Sequence, residues 1–86
     1  MTFSVRWREE ASDEPAEIWL TSDSAARRNV TSAADAIDKA LASHPNECGE
    51  SRDEQRRIFY IRPLAVIFQV FEQDRAVYVL QVWSVA

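Results

Sequence analysis

Four arginines in the C-terminal third, Arg56, Arg57, Arg62 and Arg75, are the side chains best placed for chemistry. Guanidinium groups hold phosphate or carboxylate through paired hydrogen bonds. These four flank apolar runs, so strand ends would present them at the margin of a sheet. Trp83, near the end of the last run, is a candidate contact for a target or partner. The competing account is solvated surface charge, with some arginines paired to Asp53, Glu54 or Glu72. No residue set by itself spells out a catalytic centre. His44 sits beside Pro45 at a predicted helix end, where a cation is mildly favoured. Cys48 lies in an acidic loop, which disfavours a thiolate. Ser22, Ser24 and Ser32 with His44 make no convincing triad, since capping and turns account for the first two. Glu9, Glu10, Asp13 and Glu14 resemble a metal cluster less than an acidic helix N-terminus. Trp7 and Trp19 fall on predicted core faces.

Composition removes several chemistries. One glycine excludes a Gly-rich phosphate loop. One cysteine excludes an internal disulfide, and one Cys with one His excludes a Cys/His zinc site. No cofactor or metal is expected. The formal net charge is −4, against a surface that grips nucleic acid everywhere. The charge is polarised, however: residues 52–86 hold five arginines against four acids, whereas residues 1–51 hold five basic and ten acidic residues. A local cationic site therefore stays open. The N-terminus has no apolar signal-peptide core, and the most apolar window, Leu64 to Phe71, is strand length. A cytoplasmic protein that does not contact membrane is expected.

The elements that must position these residues follow from periodicity. Phe3, Val5 and Trp7 alternate with Ser4 and Arg6, as in a half-buried strand. A short helix is predicted from about Ser12 to Ser22, with Pro15 in its first turn. A longer helix follows from Ser24 to about Ser43, with Ala26, Val30, Ala33, Ile37, Ala40 and Leu41 on one face. Pro45 ends it, and residues 45–55 read as a polar loop. Three strands are expected at 57–61, 64–72 and 75–85, with a hairpin tip at Gln73-Asp74. That tip pairs Val70 with Val77, Phe68 with Val79, Val66 with Gln81 and Leu64 with Trp83. Both resulting faces are largely apolar, so the face away from the helices needs a partner, a ligand or the chain's own termini. The expectation is one α+β domain over residues 1–86, β-α-α-β-β-β. Two helices pack on one face of a mainly antiparallel four-stranded sheet.

This order resembles the RelE/ParE superfamily of bacterial type II toxin–antitoxin (plasmid stabilisation) toxins. The residues that carry the resemblance are Arg57-Ile58-Phe59-Tyr60-Ile61, Pro63 through Val70, Glu72 through Arg75, and Val77 through Val82. Val5-Arg6-Trp7, Glu10-Ala11 and Glu17-Ile18-Trp19 add to it. The resemblance implies a cognate antitoxin that wraps the toxin. It implies as target either DNA gyrase, for ParE-type members, or messenger RNA in the ribosome, for RelE-type members. RelE-like nucleases carry an arginine at the second position of the strand that here begins at Leu64; this sequence has Ala65. They also carry basic residues and then a tyrosine or histidine after the last strand, where this sequence reads Trp83-Ser84-Val85-Ala86. In-line attack by a ribose hydroxyl needs a proton acceptor and cations on the phosphate. The expectation is therefore a ParE-like toxin that acts by binding, leaning away from an enzyme. A non-toxic interaction or homodimerisation module is the first alternative. A ribosome-dependent endoribonuclease using Arg56, Arg57 and Arg62 is the second.

Overall fold

A computed structural model describes residues 2–9, 11, 16–17, 20–21, 23–53 and 55–85. The chain runs β1 (Ser4–Trp7), α1 (Ser24–Ser43), a 3-10 turn (Pro45–Glu47), β2 (Glu50–Ser51), β3 (Arg56–Ile61), β4 (Leu64–Phe71) and β5 (Ala76–Ser84). The strands form one five-stranded sheet in the order β1-β5-β4-β3-β2. The β2–β3, β3–β4 and β4–β5 pairs are antiparallel, and β1 joins β5 in parallel.

The sheet corrects the expected fold class. It has five strands and is mixed, and one helix, α1, is described as a whole element. The extra strand, Glu50–Ser51, is two polar residues inside the stretch read as loop. Backbone pairing alone makes it a strand, so no apolar alternation marks it. The parallel pairing of β1 is equally silent in periodicity, because either direction gives period two. The short helix predicted over residues 12–22 falls mostly outside the described residues; Ala16, Glu17, Leu20 and Thr21 have helical backbone there.

Helix α1 forms where its apolar spacing predicts. Asp23 caps it, its side chain accepting from the Ala26 N–H at 2.9 Å. Val30, Ala33, Ile37 and Leu41 are buried against the sheet. They meet Leu64, Val66 and Phe68 of β4 and Val77, Val79 and Val82 of β5 in one core, with Phe59 and Ile61 of β3 and Val5 and Trp7 of β1 packed at its margin. Strand β4 lies in the middle of the sheet, and its first five residues are all buried. Burial on both faces explains its unbroken apolar run.

The β4–β5 register agrees with expectation near the tip, where Val70 pairs with Val77 and Phe68 with Val79. It then shifts between Ile67 and Phe68. Ile67 pairs with Gln81, Val66 with Val82 and Leu64 with Ser84, so the expected Val66–Gln81 and Leu64–Trp83 pairs do not form. Leu80 is the extra residue, and a bulge of this kind changes which side chains face the core. Val82 enters the core in place of Gln81, and Trp83 moves to the open face beside Ala65. No described helix is long and apolar enough to cross a membrane.

Candidate functional site

The open face of the sheet, opposite α1, holds the candidate surface. Across β3, β4 and β5 its rows are Tyr60–Ala65–Trp83, Ile58–Ile67–Gln81 and Arg56–Gln69–Tyr78, the last continuing to Arg6 on β1. The first row is an apolar end. Ala65 is fully buried between Tyr60 and Trp83 in register. The last row is polar and opens towards a cluster of arginines.

Arg8, Arg52 and Arg56 line a shallow cavity of about 340 Å³ together with Ile67, Leu80 and Gln81. Each arginine comes from a different segment: the end of β1, the β2–β3 loop and the start of β3. The loop that sets Arg52 and Arg56 is built on Asp53. Its Oδ1 accepts from the Gln55 N–H at 3.2 Å and the Arg56 N–H at 3.0 Å, and the Arg52 N–H donates to the Arg56 carbonyl at 2.8 Å. This is an aspartate-nucleated turn. The Gln55 and Arg56 amides hold the Asp53 carboxyl below the usual carboxylate range, and the positive charges of Arg56 and Arg52 add to that. Gln69 ties the loop to β4, its Nε2 donating to Gln55 Oε1 at 2.6 Å.

The predicted residues are dispersed. Arg56 belongs to the cluster. Arg57, one residue on, points to the opposite face of β3, and its Nε and Nη2 donate to the carbonyls of Cys48 and Gly49 at 2.9 and 3.0 Å. It staples the loop that follows the 3-10 turn. Arg62 lies at the β3–β4 turn, where it borders a groove with Asn29, Ser32, Ala33 and Ala36 of α1. Arg75 closes the β4–β5 turn with φ 51°, its guanidinium 5.0 Å from the centre of the Phe3 ring. Trp83 is half-buried at the apolar end. Arg56, Arg57 and Arg62 therefore do not converge.

Arg8 and Arg52 are the residues that sequence reasoning missed. Arg8 had a readable signal: it continues the Ser4, Arg6 alternation that points away from the core. Arg52 had none, because it comes to the cluster through a polar loop.

The remaining candidates have structural surroundings. Cys48 is buried, its Sγ 3.4 Å from the His44 carbonyl, and burial pushes its thiol up despite the nearby Arg57 charge. The His44 N–H closes α1 by donating to the Ala40 carbonyl at 3.0 Å. Trp7 Nε1 donates to Asp38 Oδ1 at 3.1 Å, fixing β1 to α1. Trp19, Ser22, Glu10, Asp13 and Glu14 lie outside the described residues. Among the described residues, no three His, Cys, Asp or Glu side chains gather as a metal would need.

No family model matches the sequence, and no curated protein does. Solved structures do. One is the RelBE2 toxin–antitoxin complex from Mycobacterium tuberculosis, with TM-score 0.79 and 11% identity over 98% of this chain and 92% of that one. Another is a chromosomal ParDE system from P. aeruginosa, with TM-score 0.76 and 19% identity over 98% and 97%. A third is the isolated E. coli RelE toxin, with TM-score 0.62 and 17% identity over 98% and 85%. Helix α1 against a mixed sheet, aligned over nearly the whole chain, gives this protein the fold of the RelE/ParE toxin superfamily.

Proposed function

We propose that this protein is the toxin-like component of a type II toxin–antitoxin system, ParE-like in acting by binding its target, and silenced by a cognate antitoxin. The toxin reading rests on the likeness to the ParDE and RelE structures along the chain. The observation that favours binding over cutting is the setting of Ala65. Where the nuclease relatives would place a cation, the open face offers a buried methyl group between Tyr60 and Trp83. A phosphate in transit between two oxygens needs charge at that point. The arginine cluster lies further along the strands, and among the described residues no carboxylate, imidazole or phenol lines its cavity to move a proton.

The test is induced expression in a bacterium, with and without the product of the adjacent gene. Growth arrest relieved by that product, with intact messenger RNA, is the expected result. A supercoiling assay and a translation assay then separate gyrase from the ribosome as target. Unaffected growth contradicts the toxin reading, and translation-dependent cleavage contradicts the binding-only form.

One feature favours a second reading, a non-toxic interaction or dimerisation module. Tyr60, Phe71 and Tyr78 on the open face are 56%, 38% and 37% exposed, aromatic surface that a partner would cover. Growth unaffected by induction, together with a dimer in light scattering, is the outcome that reading expects.

A further inference from the structure

The cavity between Arg8, Arg52 and Arg56 is the feature that the toxin reading leaves unused. Its floor is apolar, formed by Ile67 and Leu80, and Gln81 adds an amide at the edge. The three arginines are exposed at its rim. The guanidinium groups of Arg52 and Arg56 donate no hydrogen bond to another described residue. Asp53, adjacent to Arg52, spends its Oδ1 on two backbone amides rather than on a guanidinium. Arg52 and Arg56 over an apolar floor suit a ligand with a concentrated negative end and a flat, weakly polar body.

The surroundings narrow the anion. The cluster is an island in a molecule of net charge −4, with Glu9 next to Arg8 and Glu50 in register with Ile58 on the same face. A long polyanion would leave the island and meet those carboxylates. A phosphomonoester carries up to two negative charges on one group, which the guanidiniums of Arg52 and Arg56 match without the ligand extending beyond them. A cavity of about 340 Å³ is in the range of small-ligand sites and too small for a strand of several nucleotides.

We infer that Arg52 and Arg56 bind the terminal phosphate of a ligand the size of a nucleoside monophosphate, with its ring on Ile67 and Leu80 and Arg8, itself held by another contact, at the rim. The site is separate from the setting of Ala65 and does not depend on the toxin reading. Two sources share this chemistry, a free nucleotide and the 5′-phosphorylated end of an RNA strand.

Calorimetric titration of the full chain at low salt and about pH 7.5 tests the site, with AMP, adenosine and a short RNA bearing either a 5′-phosphate or a 5′-hydroxyl. AMP binds about tenfold or more tightly than adenosine, because charge-assisted hydrogen bonds to phosphate are lost in adenosine. Arg52→Ala and Arg56→Ala each weaken AMP by about fivefold or more, whereas Arg62→Ala, outside the cavity, leaves it within about twofold. Affinity falls as the phosphate takes up its second proton near pH ~6 while the arginines stay charged. A 5′-phosphorylated RNA that binds more tightly than AMP identifies strand ends as the source; tighter AMP identifies the free nucleotide. Equal binding of AMP and adenosine, or no AMP binding, overturns the inference. So does a glutamate-rich peptide that displaces AMP at the same concentration, which would make the cluster a docking point for an acidic protein segment. Unchanged thermal unfolding of the arginine variants shows that any loss is local.

Discussion

Gly49 is the single glycine of the chain, and its backbone accounts for it. Its φ is +63°, and an added Cβ would lie 1.9 Å from the Ile58 carbonyl oxygen, at the β2–β3 pairing. Gly49→Ala therefore forces β2 away from β3, at a cost of about 2 kcal/mol or more, which a thermal melt reads as a drop of about 8 °C or more. An unchanged melting temperature would contradict that geometry. Asp53 makes a prediction with a pH sign. Its folded pKa lies below the ordinary value because two backbone amides bind the carboxylate. The ionised group therefore contributes stability above the unfolded pKa of about 4, and the contribution disappears as pH falls through the lower folded value. Asp53→Asn should be less stable than the parent at neutral pH, and the gap should close in strong acid; urea titrations at both pH values check it, and a gap that stays constant would refute it. Residue by residue, the sequence told which types were present and less about which way they faced. Arg56 and Arg57 are neighbours of one type, and strand alternation sends one to the open cavity and the other to two loop carbonyls. With both faces of β4 apolar, hydropathy had no means of choosing between them.

At the scale of elements, α1 was legible because its buried positions recur at three and four residues between a capping Asp23 and a stopping Pro45. Ile37 is fully buried at the middle of that stripe. Ile37→Ala should cost about 2–5 kcal/mol in a urea unfolding experiment, and a loss under about 1 kcal/mol would place α1 elsewhere. Strands β3, β4 and β5 were legible as runs, but their register beyond Phe68 was not. The shift between Ile67 and Phe68 leaves no mark on composition, since Leu80, Gln81, Val82 and Trp83 suit a strand in either phase. Its consequence is testable. Val82, 7% exposed, is a core residue, while Gln81 is exposed. Val82→Asp should abolish the cooperative fold through an unpaired buried charge, and Gln81→Asp should shift stability by no more than about 0.5 kcal/mol. The reverse outcome would restore the unbroken register. The two elements the sequence hid are β2 and the parallel place of β1, and both depend on backbone pairing rather than on side-chain pattern.

At the scale of the whole molecule, the sheet divides the protein into a core face and an open face. One face is filled by α1 and the core. The other is graded from an apolar end at Tyr60, Ala65 and Trp83 to a cationic end at Arg8, Arg52 and Arg56. The arginines that meet in space, Arg8, Arg52 and Arg56, are not the set that their order along the chain suggested. Arg8 reaches the cluster from the acidic N-terminal half, across the β1–β5 pairing that puts Trp7 beside Val79. The gradient also explains why the fold alone does not choose between cutting and binding, since the same sheet can present either surface. A growth assay tests the proposed toxin most directly. Induction of the chain should arrest bacterial growth while messenger RNA stays intact, and co-expression of the adjacent gene product should restore growth. Unaffected growth, or arrest accompanied by translation-dependent cleavage of messenger RNA, would contradict it.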